Sequence, residues 1–187
     1  MNRSIIFFSL ACLIAACSTS NINVRRDYDK EAPFKTYRTF QVMQPTQEIL
    51  DEMKIRNPRV LDVIETEIDN LMQNRGYQSS DNPDIYITYF VTSRERTVGR
   101  ETGGMNVSMG YGGYYGGIGL GTRVGGRIEY VDYVDGTLII DFFDQNKKIV
   151  WHGAAQGSFQ ADRENPMEVA RDAVKRIMFK YKFKVKD

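Results

Sequence analysis

The chain has 187 residues, 42% of them hydrophobic and 26% charged, the proportions of one ordinary globular domain or at most two small ones. Its 25 Lys and Arg nearly balance 24 Asp and Glu, which leaves no chain-wide basic excess of the kind expected of a nucleic-acid binder. One His and two Cys exclude a multi-histidine metal site or a dense disulfide scaffold within a single chain.

Met1-Asn2-Arg3 is a short basic head, and Ser4 to Ala16 form a nearly continuous apolar run of 13 residues. A helix needs about 20 apolar residues to cross a bilayer, so the run reads as a secretory signal. It ends in Ile14-Ala15-Ala16-Cys17, which resembles the bacterial lipobox: an aliphatic residue, two small residues, then Cys. The resemblance implies cleavage before Cys17 and acylation of its sulfur and of the new amino group. Cys12 is a poorer candidate, because Ser9 stands where an aliphatic residue is expected and the apolar run continues past it. One acyl chain binds a membrane only marginally, whereas two or three on Cys17 would make a lasting anchor. Ser18 follows the Cys, where an Asp would signal inner-membrane retention in the enterobacterial pattern, so an outer-membrane destination is expected, on the periplasmic face rather than the cell surface. On this reading residues 1–16 are a signal peptide, 17–23 the lipidated Cys and a short tether, and 24–187 one domain. No thiol remains for a disulfide, so the fold must stand on its hydrophobic core.

Two strands are expected first, at Ile22 to Tyr28 and Tyr37 to Met43, joined by the turn-rich Asp29-Lys30-Glu31-Ala32-Pro33. Thr46 to Lys54 suits a short helical turn. A longer helix is predicted from Asn57-Pro58, a favoured cap and first-turn pair. It carries Val60, Leu61, Ile64, Ile68, Leu71 and Met72 on one stripe and stops at Gly76. Asp84 to Thr92 alternates with both faces fairly apolar, the pattern of a central strand, and runs into Arg94-Glu95-Arg96, read as a solvated strand end.

Residues 99–126 hold 12 of the 16 glycines, with Tyr111, Tyr114 and Tyr115 among them. Three strands are then expected as an antiparallel meander: Arg127 to Val134, Thr137 to Asp144 after a turn at Asp135-Gly136, and Lys148 to Phe159. A final helix opens on Asn165-Pro166 and carries Val169, Ala170, Ala173, Val174, Ile177, Met178 and Tyr181 on its apolar stripe. The expected fold is α+β: an antiparallel sheet with two helices packed on one face and a long Gly-rich loop.

Several segments, in this order, resemble the bacterial envelope lipoproteins of the domain-of-unknown-function 4136 family over nearly the whole mature chain. They are Asp27-Tyr28-Asp29 with Pro33 to Phe40, Arg75-Gly76-Tyr77 with Asn82-Pro83-Asp84-Ile85, and Gly136 to Asp141 with Lys148-Ile149-Val150-Trp151-His152-Gly153. The family usually shows a basic residue after the Trp, where His152 stands here, and the Gly-rich insert is more extreme than its pattern. The resemblance implies an envelope lipoprotein with an α+β domain and carries no catalytic residues.

Each candidate site has a plainer reading. His152 has no partner motif for catalysis and reads as a strand residue. Asp132, Asp135, Asp141 and Asp144 with Asn146 form an acidic series without the calcium-loop pattern, and Asp135 and Asp144 suit turns. Gly117-Ile118-Gly119-Leu120-Gly121 lacks the strand-then-helix setting of a phosphate loop. Tyrosines on a glycine-rich loop supply contact area at low entropic cost, so Tyr111, Tyr114 and Tyr115, with Trp151 and His152, are the possible contact residues. The expected protein is a non-enzymatic, lipid-anchored envelope protein that binds a protein or an envelope component, with no cofactor, metal or nucleic acid. The alternatives are an envelope-polymer hydrolase or transferase using His152, and a structural protein self-associating through the Gly/Tyr segment.

Overall fold

The computed structural model describes residues 22–55, 57–102, 105–106, 123–124 and 127–185. Cys17 and the tyrosines at 111, 114 and 115 lie outside the described residues. The elements are β1 (Asn23–Tyr28), β2 (Thr39–Val42), α1 (Gln47–Met53), α2 (Arg59–Gln73), β3 (Gln78–Ser79), β4 (Ile85–Thr102), β5 (Met105–Asn106), β6 (Arg123–Val124), β7 (Arg127–Phe143), β8 (Ile149–Gln160) and α3 (Pro166–Lys180). Six strands form one sheet in the order β1-β8-β7-β4-β2-β3, and β5 pairs with β6 apart from it.

The fold is α+β and the sheet is mostly antiparallel, with one departure from the expected pattern. β2 runs parallel to both β4 and β3. The reason is the intervening α2, which carries the chain back along the sheet before β4 begins, as a parallel pairing requires. Asp84 fixes this junction. Its Oδ2 accepts from the backbone N–H of Arg38 at 2.8 Å and of Thr39 at 3.0 Å, and from Thr39 Oγ1 at 2.9 Å. Thr39 Oγ1 in turn accepts from Asp84 N–H at 2.9 Å.

The core lies between the sheet and the helices. Phe40, Ile85, Ile87, Tyr89, Leu138, Ile140, Phe142 and Trp151 point into it from the strands. Ile64, Ile68 and Met72 of α2 and Ala173, Val174, Ile177 and Met178 of α3 close it. The helix boundaries follow the sequence signals. Asn165 Oδ1 accepts from Met167 N–H at 3.0 Å at the start of α3. Past α2, Gly76 takes φ +87°, a backbone that favours glycine, with Val185 packed 3.1 Å from where a Cβ would sit.

The expected turn at Asp135-Gly136 does not exist. β7 is unbroken from Arg127 to Phe143 and pairs with β4 throughout, Ser93 opposite Gly136 and Arg94 opposite Asp135. Asp135 does not close a turn, because its carboxylate is taken by Arg96 across the ladder, Nε to Oδ2 2.9 Å. Arg94-Glu95-Arg96 is therefore mid-strand rather than a strand end. β8 accompanies β7 as far as the Tyr133–Gln160 pair. Beyond it β4 and β7 continue as a two-stranded ribbon on which Ile128 and Tyr130 are exposed.

Burial raises the Asp84 carboxyl, but the bonds from Arg38 and Thr39 more than offset this and hold it below its ordinary value of 3.8. A lowered folded-state pKa stabilises above the unfolded value and loses that contribution as pH falls through the folded one. Asp84→Asn should therefore cost about 1–3 kcal/mol at neutral pH. Urea unfolding at neutral and acid pH should show the gap from wild type closing below about pH 4. A gap of constant size across that range would assign the effect to packing instead.

Candidate functional site

Two places on the domain offer chemistry. One is a cavity of about 200 Å³ between the sheet and the first turns of α2 and α3. Its walls are Ile55 and Val60 before and within α2, Val91 of β4, Leu138 of β7, Ala155 and Phe159 of β8, and Val169, Ala170 and Ala173 of α3, with Ile22 just ahead of β1. The polar lining residues are Asn57, Thr92, Ser93, Glu95 and Thr137. The space arises locally. β4, β7 and β8 run on past the starts of both helices, and small residues, Gly136, Ala155, Gly157, Ala170 and Ala173, occupy positions that larger side chains would fill. An apolar cavity of roughly 150 Å³ holds a benzene ring, so this one admits a longer aliphatic group. Among the described residues, Glu95 is the one ionisable group on its wall.

The other place is the sheet face turned away from the helices. Because side chains alternate along β8, Trp151 and Gly153 face the core while His152 faces outward. His152 Nδ1 lies 2.6 Å from Asp141 Oδ1, with the two side chains 40% and 21% exposed. In register, His152 also sits opposite Asp27 of β1, and Asp141 opposite Thr88 of β4. The result is a cross-strand row of Asp27, His152, Asp141 and Thr88 on the outer face of the sheet, separate from the residues that line the cavity.

The remaining candidates disperse. Trp151 is fully buried against Phe142 and Tyr181, ring centroids 5.0 and 5.5 Å away, and so offers no surface to a partner. Asp144 does hold a turn, accepting from Asn146 and Lys148 N–H at 2.9 Å each. Asp132 accepts from Thr97 Oγ1 at 2.6 Å. Among the described residues no three His, Cys, Asp or Glu gather to hold a metal ion, and no helix is long and apolar enough to cross a membrane.

A buried polar cluster joins the ends of α2 and α3. Arg75 donates to the carbonyls of Leu71 and Met178, each at 2.7 Å, and the Tyr77 and Tyr181 hydroxyls lie 3.0 Å apart. Burial pushes both phenols upward and lowers Arg75. The phenols thus stay neutral, and the cluster serves as a clamp. Neither it nor the cavity was singled out from sequence. The cavity's signal would have been small residues at inward positions, which look the same when they merely permit close packing.

A six-stranded, one-sided α+β sheet closed by helices defines the class of protein. The model of the family described as "Domain of unknown function (DUF4136)" matches residues 24–181, and the chain belongs to that family. A solved DUF4136 family protein from Bacteroides thetaiotaomicron is 14% identical, with a TM-score of 0.49, over 86% of this chain and 96% of that one. The PelC dodecamer from Paraburkholderia phytofirmans is 10% identical, with a TM-score of 0.50, over 89% and 99%. A PDZ domain protein from Parabacteroides distasonis is 14% identical, with a TM-score of 0.53; the match takes in 91% of this chain but spans only 39% of that protein. At these identities the likeness concerns the fold alone. No curated protein matches.

The exposure of the His152–Asp141 pair sets its worth. A side-chain pair this open to water contributes about 0–1 kcal/mol, so Asp141→Asn should move the urea midpoint only slightly. A loss well beyond about 1 kcal/mol would mean that the open face is covered in solution.

Proposed function

We propose that this protein is a non-enzymatic lipoprotein of the bacterial envelope, anchored through acyl chains on Cys17. The domain faces the periplasm at the outer membrane and binds an aliphatic chain of an envelope component. The observation that carries the binding reading is the cavity, whose walls are aliphatic side chains and small residues with a few hydroxyl and amide groups and the Glu95 carboxylate among them. Such a lining rewards removal of methylenes from water, at about 0.8 kcal/mol each. The anchor reading rests on Ile14-Ala15-Ala16-Cys17.

The two halves are tested separately. Radiolabelled palmitate should mark the wild-type chain and not Cys17→Ala, and label on both would sink the anchor. A fluorescent fatty acid should bind the wild type and bind Ala170→Phe roughly tenfold more weakly, through about two methylenes displaced at 0.8 kcal/mol each. Equal binding would remove the cavity from the reading.

One observation favours the hydrolase or transferase alternative: the Asp141 carboxylate beside His152 Nδ1 could orient the ring as a general base. Against it, no hydroxyl nucleophile is hydrogen-bonded to His152 among the described residues, and the pair does not line the cavity.

A further inference from the structure

The near-zero net charge conceals a strong local asymmetry. Residues 173–186 contain six Lys and Arg and no Asp or Glu. The structure places part of this run along a groove between the second half of α3 and the start of β1. Lys175, Arg176, Phe179 and Lys180 form one side, and Ile22, Asn23 and Val24 the other. Acidic neighbours compensate two of these cations: Arg176 pairs with Asp172 at 2.8 Å, and Lys175 lies 3.9 Å from Glu67. Of the other four, Lys180 lines the groove and Lys182 stands over Phe179. Phe179 is 67% exposed, outside the buried stripe of Ala173, Val174, Ile177 and Met178, and Lys182 Nζ sits 3.9 Å from its ring centre. An aromatic ring held in water beneath an ammonium group, beside an aliphatic wall, has the make-up of an interfacial membrane contact, apolar body inward and cations at headgroup level.

We propose that this groove is the face the domain lays on an anionic phospholipid bilayer, with Phe179 entering the headgroup layer and Lys180 and Lys182 meeting lipid phosphates. The placement rests on the anchor reading above. Ile22 on the groove wall is five residues from Cys17, a span of at most about 17 Å when fully extended. A lysine near an anionic surface contributes roughly a fivefold gain in binding, and the gain fades within a Debye length. A short tether that leaves the domain beside this groove is what keeps its cations inside that range. A soluble polyanion would use the lysines alone and give no reason for Phe179 to stand exposed among them.

The test uses the full, matured protein carrying Phe179→Trp, reconstituted in vesicles with brominated acyl chains, either neutral phosphatidylcholine or phosphatidylcholine with phosphatidylglycerol. The native Trp151 is buried and serves as a constant background. The introduced indole should be quenched several-fold more in the anionic vesicles, and added Lys180→Glu and Lys182→Glu should abolish the difference. Intact mass on the same sample reports acylation. Equal, weak quenching in both vesicles with acyl groups present overturns the docking face and leaves the anchor standing. Quenching in anionic vesicles by unacylated protein upholds the docking face and removes the anchor. If inorganic polyphosphate without vesicles shifts the indole emission as far as the anionic vesicles do, the surface is a soluble-polyanion site and the proposal falls.

Discussion

A Cβ at position 153 would fall 2.3 Å from the Trp151 ring and 2.5 Å from Ile177, so only a glycine lets α3 lie this close to β8. The indole of Trp151 folds along its own strand over that gap, and α3 seats on it. Phe142, Trp151 and Tyr181 then meet in one aromatic group, their centroids 4.7 to 5.5 Å apart. Tyr181 ends α3 at the Tyr77 hydroxyl, and Arg75 caps carbonyls of both helices. The angle and depth of α3 thus follow from one missing methyl group. So does the position of everything that α3 borders, the cavity at its first turns and the groove at its last.

The same logic explains why the family-like segments look as they do. Thr39 and Asp84 bind each other's backbone and lock the parallel junction of β2 and β4. Gly76 turns the chain out of α2 through a left-handed backbone. Gly153 makes room for Trp151. These duties are architectural. A family pattern built of such residues identifies a scaffold, and the cavity wall and the outer surface of α3 lie mostly between them.

Much of this was legible in the sequence, because helices and turns announce themselves locally. Asn57-Pro58 and Asn165-Pro166 mark real helix starts, and the apolar stripes of α2 and α3 face the core as their spacing requires. Asp135-Gly136 is a turn-forming dipeptide on its own, and the long ladder from β4, which no local signal reveals, holds it straight. The direction of β2 is set by a crossover, a non-local property. The cavity is a set of omissions, small residues from three elements, β7, β8 and α3, that converge only in space. The basic groove was hidden by averaging, since acids elsewhere in the chain cancel a cluster that is local in both sequence and space.

The ribbon formed by the far ends of β4 and β7 has a consequence for how this protein can change. From Tyr133, where β8 leaves the ladder, to Arg127 is six residues, roughly 20 Å of strand. Among the described residues, none between Val91 and Leu138 belongs to the hydrophobic core or packs against it as a partly buried hydrophobic. The described ribbon is therefore tied to the domain at its root. Loop closure grows costlier only slowly with length, so a connection made beyond the end of such a ribbon can change in length at little cost to the scaffold at its root. The domain is in effect a fixed base that tolerates change at this one edge.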